Sequence, residues 1–250
     1  MPGEILGFDR GEWDNRSPFV VSGSRFSVTL TRTGGSVMFP EITRDDVFRL
    51  ETRRLWLRWP RANDAQAVAR IAARKEVADM TANIAHPYPA GAADAWILDA
   101  RTRNTAGTQL GLVATLNRGG RDVIGFVSAK WEPDGSVVLG YAYGVEHWGK
   151  GFATEALQPV VDAVFTLTDA EAVTAQARVI NPASQRVLRK AGFSYESSGL
   201  VEMKARGGLF PVDRFRLDRK VWRSLKGWGE PRFRQADPET RGVLEGATCA

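Results

Sequence analysis

The stretch from Val137 to Ala156, V-V-L-G-Y-A-Y-G-V-E-H-W-G-K-G-F-A-T-E-A, decides how the chain is to be folded. It opens with an apolar run of strand length, Val137 to Val145, and passes directly into the glycine-rich segment Trp148 to Ala153. Beyond it Leu157, Val160, Val161, Val164 and Phe165 fall at i, i+3, i+4, i+7 and i+8, the period of an amphipathic helix. A strand, a glycine loop and a helix in series bring small residues and backbone N–H groups to a helix N-terminus, where the dipole favours an anion. The loop reads as a phosphate site; on Gly149 and Gly151 alone, a turn that merely links strand to helix reads equally well. Pro159 has no N–H to offer, which predicts a kink or a shifted start in the helix.

Two nucleotide patterns come close and fail. Residues 144–151 nearly match G-x-x-x-x-G-K-S/T, but Gly151 stands where a hydroxyl would hold magnesium. Gly149 and Gly151 begin a G-x-G-x-x-G fingerprint, yet Thr154 takes the third place and the strands before it are not βαβ units.

Upstream, the runs Leu110 to Leu116, Val123 to Trp131 and Val137 to Val145 are separated by Arg118-Gly119-Gly120 and Glu132-Pro133-Asp134-Gly135, which predicts an antiparallel meander. Earlier still, Leu55 to Trp59 reads as a strand and Asn63 to Arg74 as a helix, with Asn63 and Gln66 placed as a capping box. A second helix is predicted over Ala92 to Arg103, after His86-Pro87-Tyr88-Pro89. Near the start, Phe26, Val28 and Leu30 alternate with polar residues, and Gly34-Gly35 precedes Ser36 to Phe39, the pattern of a β-hairpin. Downstream, Val173 to Ile180 reads as a strand, and Asn181-Pro182 opens a helix that ends at Gly192. Strands over Phe193 to Met203 and Phe210 to Leu217 complete the pattern. The expected division is an extension over 1–48, a domain over 49–224 and a flexible tail over 225–250.

With 250 residues, 43% of them hydrophobic, the chain can bury one core of ordinary size. No signal peptide and no apolar run near the ~20 residues of a membrane span is visible, so a cytoplasmic chain without a membrane partner is expected. The single cysteine, Cys249, excludes an internal disulfide, and with only His86 and His147 as histidines no metal is expected. A net charge of +5 suits a polyanion, either nucleic acid or a small ligand with several phosphates. Tryptophans can support nucleic-acid stacking, but Trp56, Trp59 and Trp131 fall in apolar strands where core packing is expected, so a nucleic-acid partner is disfavoured.

Trp148 to Ala156, W-G-K-G-F-A-T-E-A, resembles the pyrophosphate loop of the GNAT superfamily of CoA-dependent acyltransferases, Q/R-x-x-G-x-G/A, with Trp148 departing at the first position. That departure is similar to the branch of ribosomal-protein N-terminal acetyltransferases (RimJ/RimL-like), which commonly carry W-G-x-G-Y/F-A-T-E-A. A second block, Asn181-Pro182-Ala183-Ser184 through Lys190-Ala191-Gly192-Phe193, resembles that branch's N-x-x-S-x-x-V/L-x-x-K-x-G-F, and weaker likeness extends over roughly residues 50–222.

The resemblance implies an α+β fold: a mixed, mostly antiparallel central sheet, helices on both faces, and a V-shaped splay between the fourth strand (137–145) and the fifth (173–180). It implies acetyl-CoA as acyl donor, with the pantetheine arm on backbone groups around Tyr143 and Val145. The pyrophosphate would rest on the amides of Trp148, Gly149, Lys150, Gly151, Phe152, Ala153 and Thr154, and Asn181 and Ser184 would touch the CoA arm; capping alone also explains Asn181. A neutral primary amine would attack the thioester directly, with a backbone N–H near Val145 stabilising the carbonyl oxygen. The usual base and acid are missing, since Val138 stands where relatives carry Glu and Leu188 where many carry Tyr. The substitutes are Ser184, Tyr143, Tyr141 or solvent as acid and Glu146, beside His147, as base. A protein N-terminus, a lysine, a polyamine or an antibiotic amine all remain open as acceptor, and a homodimer through the hairpin edge is possible. The competing readings are an acyl-CoA-binding domain without catalysis and a basic nucleic-acid-binding module.

Overall fold

Along β3 (Gln109–Leu116) seven consecutive residues are buried, so both faces of this strand are covered. Successive side chains alternate between the faces. Leu110, Leu112 and Ala114 join the cluster built on Leu157, Val160, Val161 and Val164 of α4 (Phe152–Leu167). Val113 joins a second cluster with Val68 and Ile71 of α1 (Ala65–Ala72), Val77 of α2 (Lys75–Met80) and Ala93 of α3 (Ala92–Thr105). Helices therefore cover both faces of the sheet. The computed structural model describes residues 39–118 and 122–227; the expected hairpin, the Gly119-Gly120 turn and the expected tail beyond 227 lie outside the described residues.

The sheet has eight strands in the order β1-β2-β3-β4-β5-β6-β8-β7. They are β1 (Arg49–Glu51), β2 (Leu55–Arg58), β3, β4 (Val123–Trp131), β5 (Val137–Tyr143), β6 (Ala172–Arg178), β7 (Ser194–Met203) and β8 (Gly208–Asp218). Every pairing is antiparallel except that of β5 with β6. The meander stands where its turns placed it, and the short β1, absent from the sequence reading, shifts the strand count by one.

The parallel pair β5/β6 is where the sheet opens. It is joined only at Val137↔Val173, Val138↔Thr174 and Leu139↔Ala175. From Gly140 to Tyr143 β5 still pairs with β4, and from Gln176 to Arg178 β6 still pairs with β8, so the two strands diverge as a V. The residues 140–143 thus present a row of backbone groups without a strand partner on that side, among the described residues.

Four local expectations need correcting. The Asn63/Gln66 capping box does not form: Asp64 accepts the Arg61 N–H at 2.7 Å and pairs with both ends of the Arg58 guanidinium at 2.7 and 2.9 Å. A charged carboxylate already held by an arginine takes the capping position in place of the Asn63 amide, and α1 starts after a 3-10 turn over Ala62–Asp64. The predicted first helix is shorter than expected, ending at Ala72, and residues 75–80, outside it, form a further helix, α2. Helix α4 runs from Phe152 through Pro159 to Leu167 with no shift of its start, and Pro159 is itself buried. Loss of one helical bond costs ~3 kcal/mol, which the burial of several large apolar side chains along the same helix outweighs at ~1.5 to 3 kcal/mol each.

The fourth correction lies beyond the last strand. Helix α5 (Pro182–Lys190) begins as expected, its Asn181 side chain accepting the Ser184 N–H at 3.0 Å, but a further helix, α6 (Arg219–Gly227), runs into the segment assigned to the tail. Trp222 and Lys226 bond the two oxygens of buried Asp162 at 2.7 and 2.5 Å. Arg219 donates to the carbonyls of Phe165, Thr168 and Ala170, closing the end of α4.

Candidate active site

The glycine loop is held by contacts from two directions. The Trp148 indole N–H donates to the Tyr143 carbonyl at 2.7 Å, folding the loop back onto the end of β5 over a 3-10 turn at Val145–His147. Gly149 and Gly151 have φ of +72° and +80°, a region that costs other residues ~1 to 2 kcal/mol. No atom lies within 4 Å of the place a Cβ on Gly149 would take, so the backbone there is open to a ligand.

Gly151 is the N-cap of α4 and brings no side chain to its first-turn amides. The second direction is Glu155, one turn into α4. It accepts from the Thr52 hydroxyl at 2.7 Å, the Arg54 N–H at 2.8 Å and the Arg54 Nε at 2.6 Å. The Arg54 guanidinium also lies 4.4 Å above the Phe152 ring. These bonds hold the Glu155 carboxyl below its ordinary range against the opposing effect of burial. The Glu of A-T-E-A thus clamps the helix to the β1–β2 turn, a role that the sequence reading did not assign.

A cavity of about 1030 Å³ joins this loop to the open edge of β5. Its wall includes Tyr143, Trp148, Gly149, Gly151, Phe152, Ala153, Thr154, Asn181 and Ser184. Val145, Glu146 and Lys150 are not on it: Val145 packs with the α1–α3 cluster and Lys150 is exposed. The volume, the open space above Gly149, the uncapped α4 amides and the unpaired edge at 140–143 together fit an extended donor with a pyrophosphate in its middle.

Residues 54–194, more than half of the chain, match the family described as "Acetyltransferase (GNAT) domain". The chain belongs to the GNAT acetyltransferase family. Among curated proteins, the uncharacterized N-acetyltransferase p20 of Bacillus licheniformis is 35% identical over 86 residues, 34% of this chain and 48% of that protein. The chain therefore spans about half the length of the curated relative it matches. Among solved structures, ribosomal-protein-S5-alanine acetyltransferase of Vibrio fischeri is 20% identical, with a TM-score of 0.60 over 70% of this chain and 98% of that one. Spermidine N-acetyltransferase of Vibrio cholerae, in complex with CoA and spermine, is 18% identical, with a TM-score of 0.58 over 68% and 99%. Both share the GNAT fold with this chain.

Within this GNAT domain the polar groups facing the splay are few. The Tyr141 hydroxyl is 2.8 Å from the Ser184 Oγ, bridging β5 to α5 across the opening, and burial pushes the phenol up to about 12. The Tyr143 hydroxyl is also buried but has no hydrogen-bond partner among the described residues, and its ring covers Gly125, so proton transfer through it lacks a geometry. Leu188 is fully buried in the core and Val138 lines the cavity, so neither family position is refilled by a polar neighbour.

No Asp or Glu lines the cavity among the described residues. Glu146, 58% exposed, folds over Gly144 with its Oε1 3.7 Å from the His147 Nε2. His147 does line the cavity and is 21% exposed; burial lowers its pKa below 6.5, so the imidazole is neutral at pH 7 and can accept a proton. Its position beside the loop was visible in the sequence, but nothing there distinguished it from Glu146.

On the side of the cavity away from the glycine loop, the C-terminal end of α2 is tied across the V by three side chains. Arg178 donates to the Asp79 carbonyl, Asn181 to the Met80 carbonyl at 3.5 Å, and Arg206 to the Thr81 carbonyl at 3.3 and 3.4 Å. Carbonyls at a helix end have no intrahelical partner, so this end is a ready acceptor for such bonds.

Proposed function

We propose that this chain is an N-acetyltransferase that moves acetyl from acetyl-CoA to a primary amine by direct attack. The observation that carries the reading is the continuity of one cavity from the glycine loop, along the unpaired edge of β5, to the apolar wall of α1–α3. A donor laid along β5 would have its pyrophosphate at the amides of residues 148–154 and its thioester near Ser184. The Val145 N–H, which opens a 3-10 turn and takes no backbone acceptor among the described residues, is the donor proposed for the carbonyl oxygen.

In the proposed reaction the amine nitrogen forms a bond to the acetyl carbon while the carbon–sulfur bond breaks. The amine's proton goes to His147, directly or through water, and the leaving thiolate takes a proton from Ser184, whose hydroxyl is bonded to Tyr141. Glu146 then serves to orient His147 and not as the base itself. Acceptors compatible with the fold range from a protein N-terminus to a polyamine, as the names of the structural neighbours show for those proteins.

Thermal unfolding with and without acetyl-CoA tests the donor assignment. At ~100 times the dissociation constant, linkage gives about 2.7 kcal/mol of stabilisation. Gly151→Asp should remove that gain, because it strains a residue at φ +80° and sets a carboxylate where an anion would bind. An unchanged unfolding curve with acetyl-CoA would overturn the reading. Binding without thioester consumption on any amine would reduce it to an acyl-CoA-binding domain.

A further inference from the structure

We infer that the acceptor is an anionic amine of amino-acid type: a primary amine carrying a carboxylate close to the nitrogen and an apolar side chain. The inference rests on the acetyl-transfer reading and concerns the other half of the same cavity. Three observations meet there.

The first is a cation without a counter-ion. Arg178, on the cavity wall at the end of β6, has no ion pair among the described residues. Its Nη1 bonds only the Asp79 carbonyl, its Nε is buried without a partner, and its guanidinium stacks on the Phe210 ring at 5.2 Å. The nearby Asp79 carboxylate is already engaged by Lys75 at 2.6 Å and Arg206 at 3.3 Å, so this corner holds three cations against one anion. Desolvation and the Arg206 charge lower the Arg178 pKa, and the Asp79 charge, which acts the other way, does not offset them. A guanidinium in such a place gains most from a carboxylate, which it can meet with two parallel bonds.

The second is the sign of the wall. The charged side chains lining the cavity are Arg178, Arg186 and Lys190, with no carboxylate among the described residues, so a polycationic acceptor would meet repulsion and find no partner for its second amine. The third is the apolar surface: Met80, Ile84, Tyr88, Trp96, Phe126 and Met203 line the same cavity, with Trp96 and Phe126 in ring contact at 5.0 Å. Such a wall takes an aliphatic or aromatic side chain, and one protein N-terminal residue would fit it equally, but a peptide bond offers Arg178 no carboxylate.

Thioester consumption measured on free leucine, methionine and phenylalanine, on the amides of the same three, on a neutral tripeptide amide and on spermidine tests this. The amide's amine is the less basic of each pair, so more of it is neutral at a given pH, and amine ionisation alone favours the amide. Against that bias the acid should be the better substrate by roughly 10-fold or more in kcat/KM, the scale of a hydrogen-bonded charge pair. Arg178→Gln should remove the preference while leaving the acetyl-CoA dissociation constant unchanged, and Arg178→Lys should keep part of it. The acid-against-amide comparison needs no variant and so survives one that fails to fold. Amides, the tripeptide or spermidine serving as well as the acids, or a parallel fall in acetyl-CoA affinity on Arg178→Gln, would overturn the inference with acetyl transfer intact. Consumption on none of the amines would overturn acetyl transfer itself.

Discussion

Ser184 and His147 carry the proposed proton movements, and each makes a different prediction. Ser184→Ala and Tyr141→Phe should lower kcat with little effect on acetyl-CoA affinity, Ser184→Ala by the roughly 10²-fold or more typical of a positioned acid. Equal turnover in Ser184→Ala would remove it from the mechanism. For His147 the sign follows from burial, which lowers its pKa: the neutral, proton-accepting form persists below pH 6.5 and is lost as pH falls through the lowered value. The rate profile should therefore show an acidic limb below 6.5 that His147→Gln abolishes and Glu146→Gln merely moves. At this scale the sequence was only half readable. Gly149 and Gly151 came from the loop's own residues and Asn181 and Ser184 through the family resemblance, whereas Tyr141 and Tyr143 lie two apart on one strand and look alike until the structure shows one bonded to Ser184 and the other shut in the core.

At the scale of elements, the clamp between the β1–β2 turn and α4 ties the start of that helix to the sheet. Three bonds converge on the mostly buried Glu155 carboxylate, so Glu155→Ala should cost about 2 kcal/mol in chemical denaturation, the order expected when charge-assisted bonds are lost. Because the folded carboxyl titrates below its ordinary 4.5, its contribution is full above that value and disappears as pH falls through the lowered one. Glu155→Gln should accordingly unfold with less dependence on pH over that window; an unchanged acid transition would mean the clamp holds nothing. Helix α6 offers the complementary case. Truncation after Asp218 would strip both partners from buried Asp162, and the loss should be partly recovered by Asp162→Leu, which removes the stranded charge. The strands from β2 onward, α4 and α5 were legible because each has an apolar run, a helical period or a cap at a clear boundary, whereas α3 has almost no amphipathic period and was placed only by the breaker residues before it. Helices α2 and α6 were not: α2 is six residues long, and α6 buries none of its residues fully, so it is specified by Trp222, Lys226 and Arg219 reaching partners some fifty to sixty residues away.

For the whole molecule, the governing fact is a sheet that is continuous through β1–β5 and through β6, β8 and β7 but joined between the halves by only three residue pairs. A ligand lying in the V replaces missing strand pairing, so acetyl-CoA should slow amide exchange at 140–143 and 148–154 together with 181–184, segments far apart in sequence. Protection confined to the loop alone would mean the donor does not enter the opening. The V was foreseen only through the family resemblance, since strand periodicity says nothing about where two parallel strands part company.

Asn181 belongs to both halves of this arrangement. Its Oδ1 holds the first turn of α5 beside Ser184, while its Nδ2 reaches the last turn of α2, the floor of the proposed acceptor chamber. One amide is thus a mechanical link between the room for the first substrate and the room for the second. If occupying one room turns that amide, the other feels it, and thermodynamics requires the effect to be mutual: the factor by which acetyl-CoA alters acceptor affinity must equal the factor by which the acceptor alters that of acetyl-CoA. Replacing Asn181 with Asp, which retains the cap but gives up the donor, should bring that shared factor towards one, as acetyl-CoA titrations with and without the acceptor would read.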